Sequence, residues 1–254
     1  MARPAEDGVG DLADDRAPLG RTSTAERVAD ILRTRVAEGR FPPGTRLSED
    51  GIGGALGVSR NTLREAFRLL THERLLVHEL NRGVFVRVLD AGDVADIYRT
   101  RRLVECAVVR GLGRPPFALD GLAAAVEEGE DAARAGDWNG VSTADIHFHR
   151  ALVALAGSAR TDELMRGVLA ELRLALHLVE DPRALHEPFL ARNREILGAL
   201  RAGERGTAER LLARYLDDSR AGVEDACARA VGARDRASGP GRIRTVSTVV
   251  RVRT

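Results

Sequence analysis

Apolar residues in this chain recur mainly at three- and four-residue spacing, and only one short stretch departs from that rhythm. Near the start, Ser23-Thr24-Ala25-Glu26 reads as a capping box, and Val28, Ile31, Leu32 and Val36 follow at helical spacing as far as Gly39. Phe41-Pro42-Pro43-Gly44 then forces a turn, because proline fixes φ and glycine tolerates unusual backbone angles. A second, short helix is predicted from a Ser48 cap to Leu56, with Ile52, Ala55 and Leu56 facing inward. It is weakly built, since Gly51, Gly53 and Gly54 each cost about 1 kcal/mol relative to alanine. After a turn at Gly57, Ser59 caps a third helix, stapled by Val58 and Leu63 and carrying the stripe Leu63, Ala66, Phe67, Leu70. Two strands, Leu75–Val77 and Val84–Val88, flank the hairpin turn Asn81-Arg82-Gly83.

From Asp90 to about Ala230 the helical period returns without a convincing strand or fixed repeat. Helices are predicted over 91–112, 119–135, 138–156, 160–180, 186–202 and 205–229, broken at Gly- and Pro-bearing turns. The fold class is therefore mainly α: an N-terminal winged helix-turn-helix over 21–89 and an all-α helical bundle over 90–230. Residues 1–20 and 231–254 read as a disordered arm and a basic flexible tail, with strand propensity at Thr245–Val250 and no visible partner for it.

The third helix leaves Arg60, Asn61, Thr62 and Arg64 at its exposed N-terminal end, where backbone N–H groups and arginines suit phosphates and base edges. Alone this is an amphipathic surface helix. Preceded by two helices and followed by a hairpin with Arg82 and Gly83 at its tip, it becomes a recognition helix for the major groove. The tip would then reach the adjacent minor groove or backbone. Residues 22–88 resemble the DNA-binding domain of the GntR superfamily of bacterial regulators. The resemblance rests on Pro43-Gly44-Thr45-Arg46-Leu47-Ser48-Glu49, Leu56-Gly57-Val58-Ser59-Arg60, Leu63-Arg64-Glu65-Ala66 and Asn81-Arg82-Gly83-Val84-Phe85-Val86. It implies operator contacts from Ser59, Arg60 and Arg64, within a candidate set that also holds Arg46, Ser48, Asn61, Thr62, Arg82 and Gly83. Two departures stand out. Gly51 replaces a polar residue of the second helix, and Arg74 replaces the glycine before the first wing strand, so a differently shaped corner is expected there.

Charge supports a division of labour. Every basic side chain is arginine, and residues 21–89 carry a net +4 against −4 for residues 90–220. A basic head on an acidic body suits double-stranded DNA binding through the head. Cys106 and Cys227 form neither a disulfide framework nor a zinc spacing and read as inert thiols. With no signal peptide and no apolar run near 18 residues, a cytoplasmic chain without a membrane partner is expected.

In the helical half, Asp145 and His149 lie four apart on the inward face with Leu152 and Ala156, while His147 points to solvent. An Asp–His hydrogen bond on one helix accounts for the pair, as does a metal or ligand site. Asn193 and Tyr215 also fall on apolar faces, where each can be a satisfied core polar group. The region 92–222 resembles the FCD effector-binding domain of the FadR-like branch of GntR regulators. The matching residues are Tyr98-Arg99-Thr100-Arg101-Arg102-Leu103-Val104-Glu105, Asp145 with Phe148-His149, and Glu195-Ile196-Leu197 through Ala202-Gly203. In that family an Asp and three His hold a divalent metal that orients a small carboxylate. Asp145 and His149 match two of those ligands, whereas the other two positions are Asn193 and Tyr215, weak substitutes for imidazole.

A metal-free pocket is therefore expected, with a possible divalent metal at Asp145 and His149 as the alternative. In the metal-free reading Arg101 pairs with the carboxylate of a small organic acid effector, and Asp145, His149, Asn193 and Tyr215 complete the lining. A structural salt bridge from Arg101 to Glu105 competes with that role, and Arg102 lies on a neighbouring face. The whole reads as a homodimeric repressor on a palindromic operator. A metal sensor or a helical metal-dependent hydrolase are the competing classes, the latter lacking an activated nucleophile or a phosphate-cradling loop.

Overall fold

The computed structural model describes residues 23–237, and the chain divides into two compact units. The arm over 1–20 and the tail beyond residue 237, with its Thr245–Val250 stretch, lie outside the described residues.

In the first unit, helix α1 (Thr24–Ala37) starts on the expected capping box: Ser23 Oγ accepts from the Glu26 N–H and the Glu26 carboxylate accepts from the Ser23 N–H. Val28, Leu32 and Val36 are buried, whereas Ile31 is exposed. Helix α2 (Glu49–Leu56) follows a Ser48 cap and ends at Gly57 in the left-handed region. None of its residues is buried, and Ala55 is exposed, contrary to the inward face expected. With three glycines in eight residues it offers little side chain to bury. Helix α3 (Arg60–His72) buries Leu63, Ala66, Phe67 and Leu70 against α1 and the sheet.

Strands β1 (Arg46–Leu47), β2 (Leu76–Glu79) and β3 (Gly83–Val86) form an antiparallel sheet in the order β1-β3-β2. At two residues, β1 is too short to show alternation, and it was not foreseen. The corner between α3 and β2 keeps a left-handed residue: Arg74 has φ 59°, in a Schellman motif with Leu75 N–H bonded to Leu70 C=O and Arg74 N–H to Thr71 C=O. The different corner expected from the loss of glycine does not appear, because a non-glycine residue adopts the strained angle. The segment Arg166–His177 packs with this unit, through an Arg87–Glu171 ion pair and donation from Arg173 and His177 to the Ala37 carbonyl.

The second unit holds α4 (Ala91–Gly111), α5 (Asp120–Arg134), α6 (Trp138–Ala154), the start of α7 (Ala159–Leu176), α8 (Pro182–Arg201) and α9 (Arg205–Ala237). Helix α5 lies on α6, and α9 lies on both α4 and α8. Phe148, Leu152, Ile196, Leu212 and Leu216 form its core. Three boundaries differ from expectation by four residues or more, one of them the end of α7, at Leu176 rather than residue 180. Helix α8 begins at Pro182 rather than residue 186, because proline suits the first helical turn and Asp181 caps it. Helix α9 runs on through Ala237, so the first seven residues assigned to the tail are helical.

Candidate functional site

The polar end of α3 is built by its cap. Ser59 Oγ accepts from the Thr62 N–H at 3.1 Å and lies 2.8 Å from Thr62 Oγ1, which occupies both hydroxyls locally. Ser48 Oγ is likewise committed, accepting from Gly51 N–H. Asn61 and the guanidinium groups of Arg60 and Arg64 stand out from this end. Each arginine meets a carboxylate of α2: Arg60 with Asp50 and Arg64 with Glu49, both at 3.0 Å. At the wing, Arg82 pairs with Glu79 and lies over the Phe85 ring, while Gly83 at φ 109° allows the Arg46 side chain to pass close by. Arg46, Ser48, Arg60 and Gly83 line one surface depression of the first unit together with the α2 acids Glu49 and Asp50.

The second unit holds a buried polar cluster. Arg101, 1% exposed, donates from Nε to Glu105 Oε1 at 2.8 Å, and His149 Nδ1 donates to Glu105 Oε2 at 2.6 Å. Next to it, Asp145 Oδ1 accepts from Tyr215 Oη at 2.5 Å and from Asn193 Nδ2 at 2.9 Å. His149 Nε2 lies 3.9 Å from the same oxygen, too far for a hydrogen bond. Arg101 Nη2, His149 Nε2 and Asn193 Oδ1 are buried without a hydrogen-bond partner. A small cavity of about 10 Å³ adjoins Asp145 and Asn193, with His186 and Phe189 also in its wall.

Charges in the cluster stabilise one another. Burial pushes the Asp145 carboxyl up, but His149 and His186, with donation from Tyr215 and Asn193, outweigh it and hold the group below its ordinary value. Glu105 is likewise pushed up by burial and pulled lower overall by Arg101 and His149. Burial, with Asp145 beside it, lifts the Tyr215 phenol well above 10. Burial also raises the Cys106 and Cys227 thiols to about 11, as inert thiols require.

Asp145, His149, Asn193 and Tyr215 are therefore brought together, as the sequence proposed. Arg101 is not among the residues that line the small cavity, and its Nε is committed to Glu105 while Nη2 is left without a partner. Glu105 sits one helical turn away on the same buried face and takes its charge. The Asp–His pair on one helix does not close either, since Glu105 on α4 captures the imidazole. His147 is exposed beside Glu128, and Arg102 is exposed beside Asp217.

Nor does this donor set fit a transition metal. Tyr215 is a protonated phenol and Asn193 presents its NH₂ to Asp145, so hydrogens rather than lone pairs point where two metal ligands would stand. Glu105 and His186 were missed in the sequence. Glu105 was visible only as an i+4 neighbour of Arg101, and His186 stood at the first position of the helix predicted over 186–202.

Comparison with known proteins agrees with this geometry. Residues 24–86 match the family model of bacterial regulatory proteins, gntR family, and residues 96–218 match the FCD domain. A solved structure described as a GntR transcriptional regulator from Rhodococcus sp. RHA1 is 50% identical with TM-score 0.77, over 80% of this chain and 98% of that one. A relative from Paenarthrobacter nicotinovorans, described as a probable D-xylose utilization operon transcriptional repressor, is 28% identical over 78% of this chain and 88% of its own length. The gluconate operon transcriptional repressor of Bacillus licheniformis is 32% identical over 53% of this chain and 56% of its own.

Proposed function

Because the chain belongs to the GntR family of bacterial regulators and carries an FCD domain, we propose that it is a homodimeric operator-binding repressor controlled by a small effector without a tightly bound metal. The observation that carries the DNA reading is the exposed, Ser59-capped end of α3, which bears Arg60 and Arg64 in a unit whose wing tip carries the exposed Arg82. A guanidinium at a helix end can take a guanine edge bidentately, and the wing fixes register on the backbone. Two such heads related by a two-fold axis match a palindromic site. The buried cluster with three unpartnered polar atoms supports effector control, since such atoms are satisfied when a ligand or water supplies partners. An effector works here only by binding one dimer arrangement better than another.

The test begins with a palindromic DNA selected from a random pool by the purified full chain. Arg60→Ala is expected to weaken specific binding by about 1–3 kcal/mol and to relax preference at one base position per half-site. Unchanged affinity and preference would remove Arg60 from the interface. Metal analysis of untagged protein is expected to find far less than one zinc or nickel per chain. A stoichiometric ion lost on Asp145→Ala or His149→Ala would overturn the metal-free reading.

A further inference from the structure

The wall of the cavity in the second unit presents two acceptors, Asp145 and Asn193, with His186 beside them, and no arginine lines it. Asn193 is 7% exposed, and its orientation is fixed by chemistry. Its NH₂ must face Asp145 because a carboxylate only accepts, so Oδ1 is the amide atom left without a partner. Both donors to Asp145 converge on Oδ1, which leaves acceptor capacity on a carboxylate that lines the same cavity. Arg101, outside the lining, already faces Glu105, and the charge of His186 in the wall already bears on Asp145. A ligand carboxylate entering here would meet a carboxylate and an amide oxygen.

Resting on the effector reading above, we propose that this cavity takes a ligand through a hydrogen-bond donor group, an ammonium or a hydroxyl, held between Asp145 and Asn193 Oδ1. The effector is an amine or a polyol rather than a simple organic acid. At about 10 Å³ the cavity accommodates one water-sized group, which matches an anchoring –NH₃⁺ or –OH and nothing larger. The rest of the ligand displaces the wall formed by Phe189 and Leu190 of α8. Pro188 lies inside α8 between His186 and Phe189, and it has no N–H to bond the carbonyl one turn back. Gly129 of α5 faces it, where a Cβ would lie 3.3 Å from Leu190 Cδ2 and 3.4 Å from Ala144 Cβ.

Thermal unfolding of the full chain distinguishes the ligand classes. Three panels are compared at equal millimolar concentration and ionic strength: ethanolamine and putrescine, glycerol and xylitol, acetate and succinate. The amine or the polyol panel is expected to raise Tm in a saturable way, and the acids are not. Asp145→Asn then separates the two sources. An ammonium is expected to lose at least about tenfold in affinity with the charge, and a hydroxyl only a few-fold. Stabilisation by acids alone overturns the donor-ligand assignment and leaves the effector reading standing. Stabilisation by none of the panels overturns both, and needs no variant to fold.

Discussion

Arg74 holds a left-handed backbone that its side chain disfavours, and the Schellman bonds around it keep the angle. Left-handed angles cost an L-residue roughly 1 kcal/mol relative to glycine. Arg74→Gly is therefore expected to raise stability by up to about 1 kcal/mol in denaturant unfolding; a loss of stability would show that the arginine side chain has a compensating role. The buried carboxylates act in the opposite sense on acidification. Asp145 and Glu105 have native pKa values below their ordinary ones, so the unfolded chain takes up protons first as pH falls. Their stabilisation is intact above the ordinary carboxylate range near pH 4 and is lost as pH drops through the lower native values. Asp145→Asn is expected to flatten that acid limb in Tm-versus-pH scans, and an unchanged limb would remove Asp145 as a contributor. Polar positions on apolar faces were legible in the sequence, but their partners were not. Asn193 and Tyr215 were visible as anomalies, whereas Glu105 becomes the partner of His149 only when α4 and α6 are brought together.

At the scale of elements, caps carried most of the legible information. Ser23, Ser48 and Ser59 each cap the helix they were expected to cap. Ser59→Ala is expected to cost about 1 kcal/mol of stability and to weaken DNA binding, because the same cap orients the end that bears Arg60. Stability lost without any change in DNA affinity would separate the cap from the reading surface. What stayed hidden were elements that owe their existence to neighbours. Strand β1 exists through its pairing with β3, and the early start of α8 depends on a proline that reads as a break until its position in the first turn is known.

For the whole molecule, the charge division between basic head and acidic helical region was readable without coordinates, and so was the fold class. The partner of Arg101 was not, since it looked equally available to an effector and to Glu105 until both were seen buried together. If each of the two heads neutralises about four phosphates, raising salt from 50 to 200 mM is expected to weaken binding about 10⁴-fold. A flat salt response in fluorescence titration would move the DNA surface elsewhere. The α2 acids beside Arg60 and Arg64 carry a kinetic corollary. A phosphate on random DNA meets a carboxylate beside either guanidinium, and so gains less than it would from a bare arginine. Only a guanine edge offering two acceptors in the right plane repays that exchange. If Arg60 and Arg64 read the operator as proposed, random sequence is expected to be released quickly, and the search of a chromosome to proceed by many brief visits rather than by long slides along one duplex.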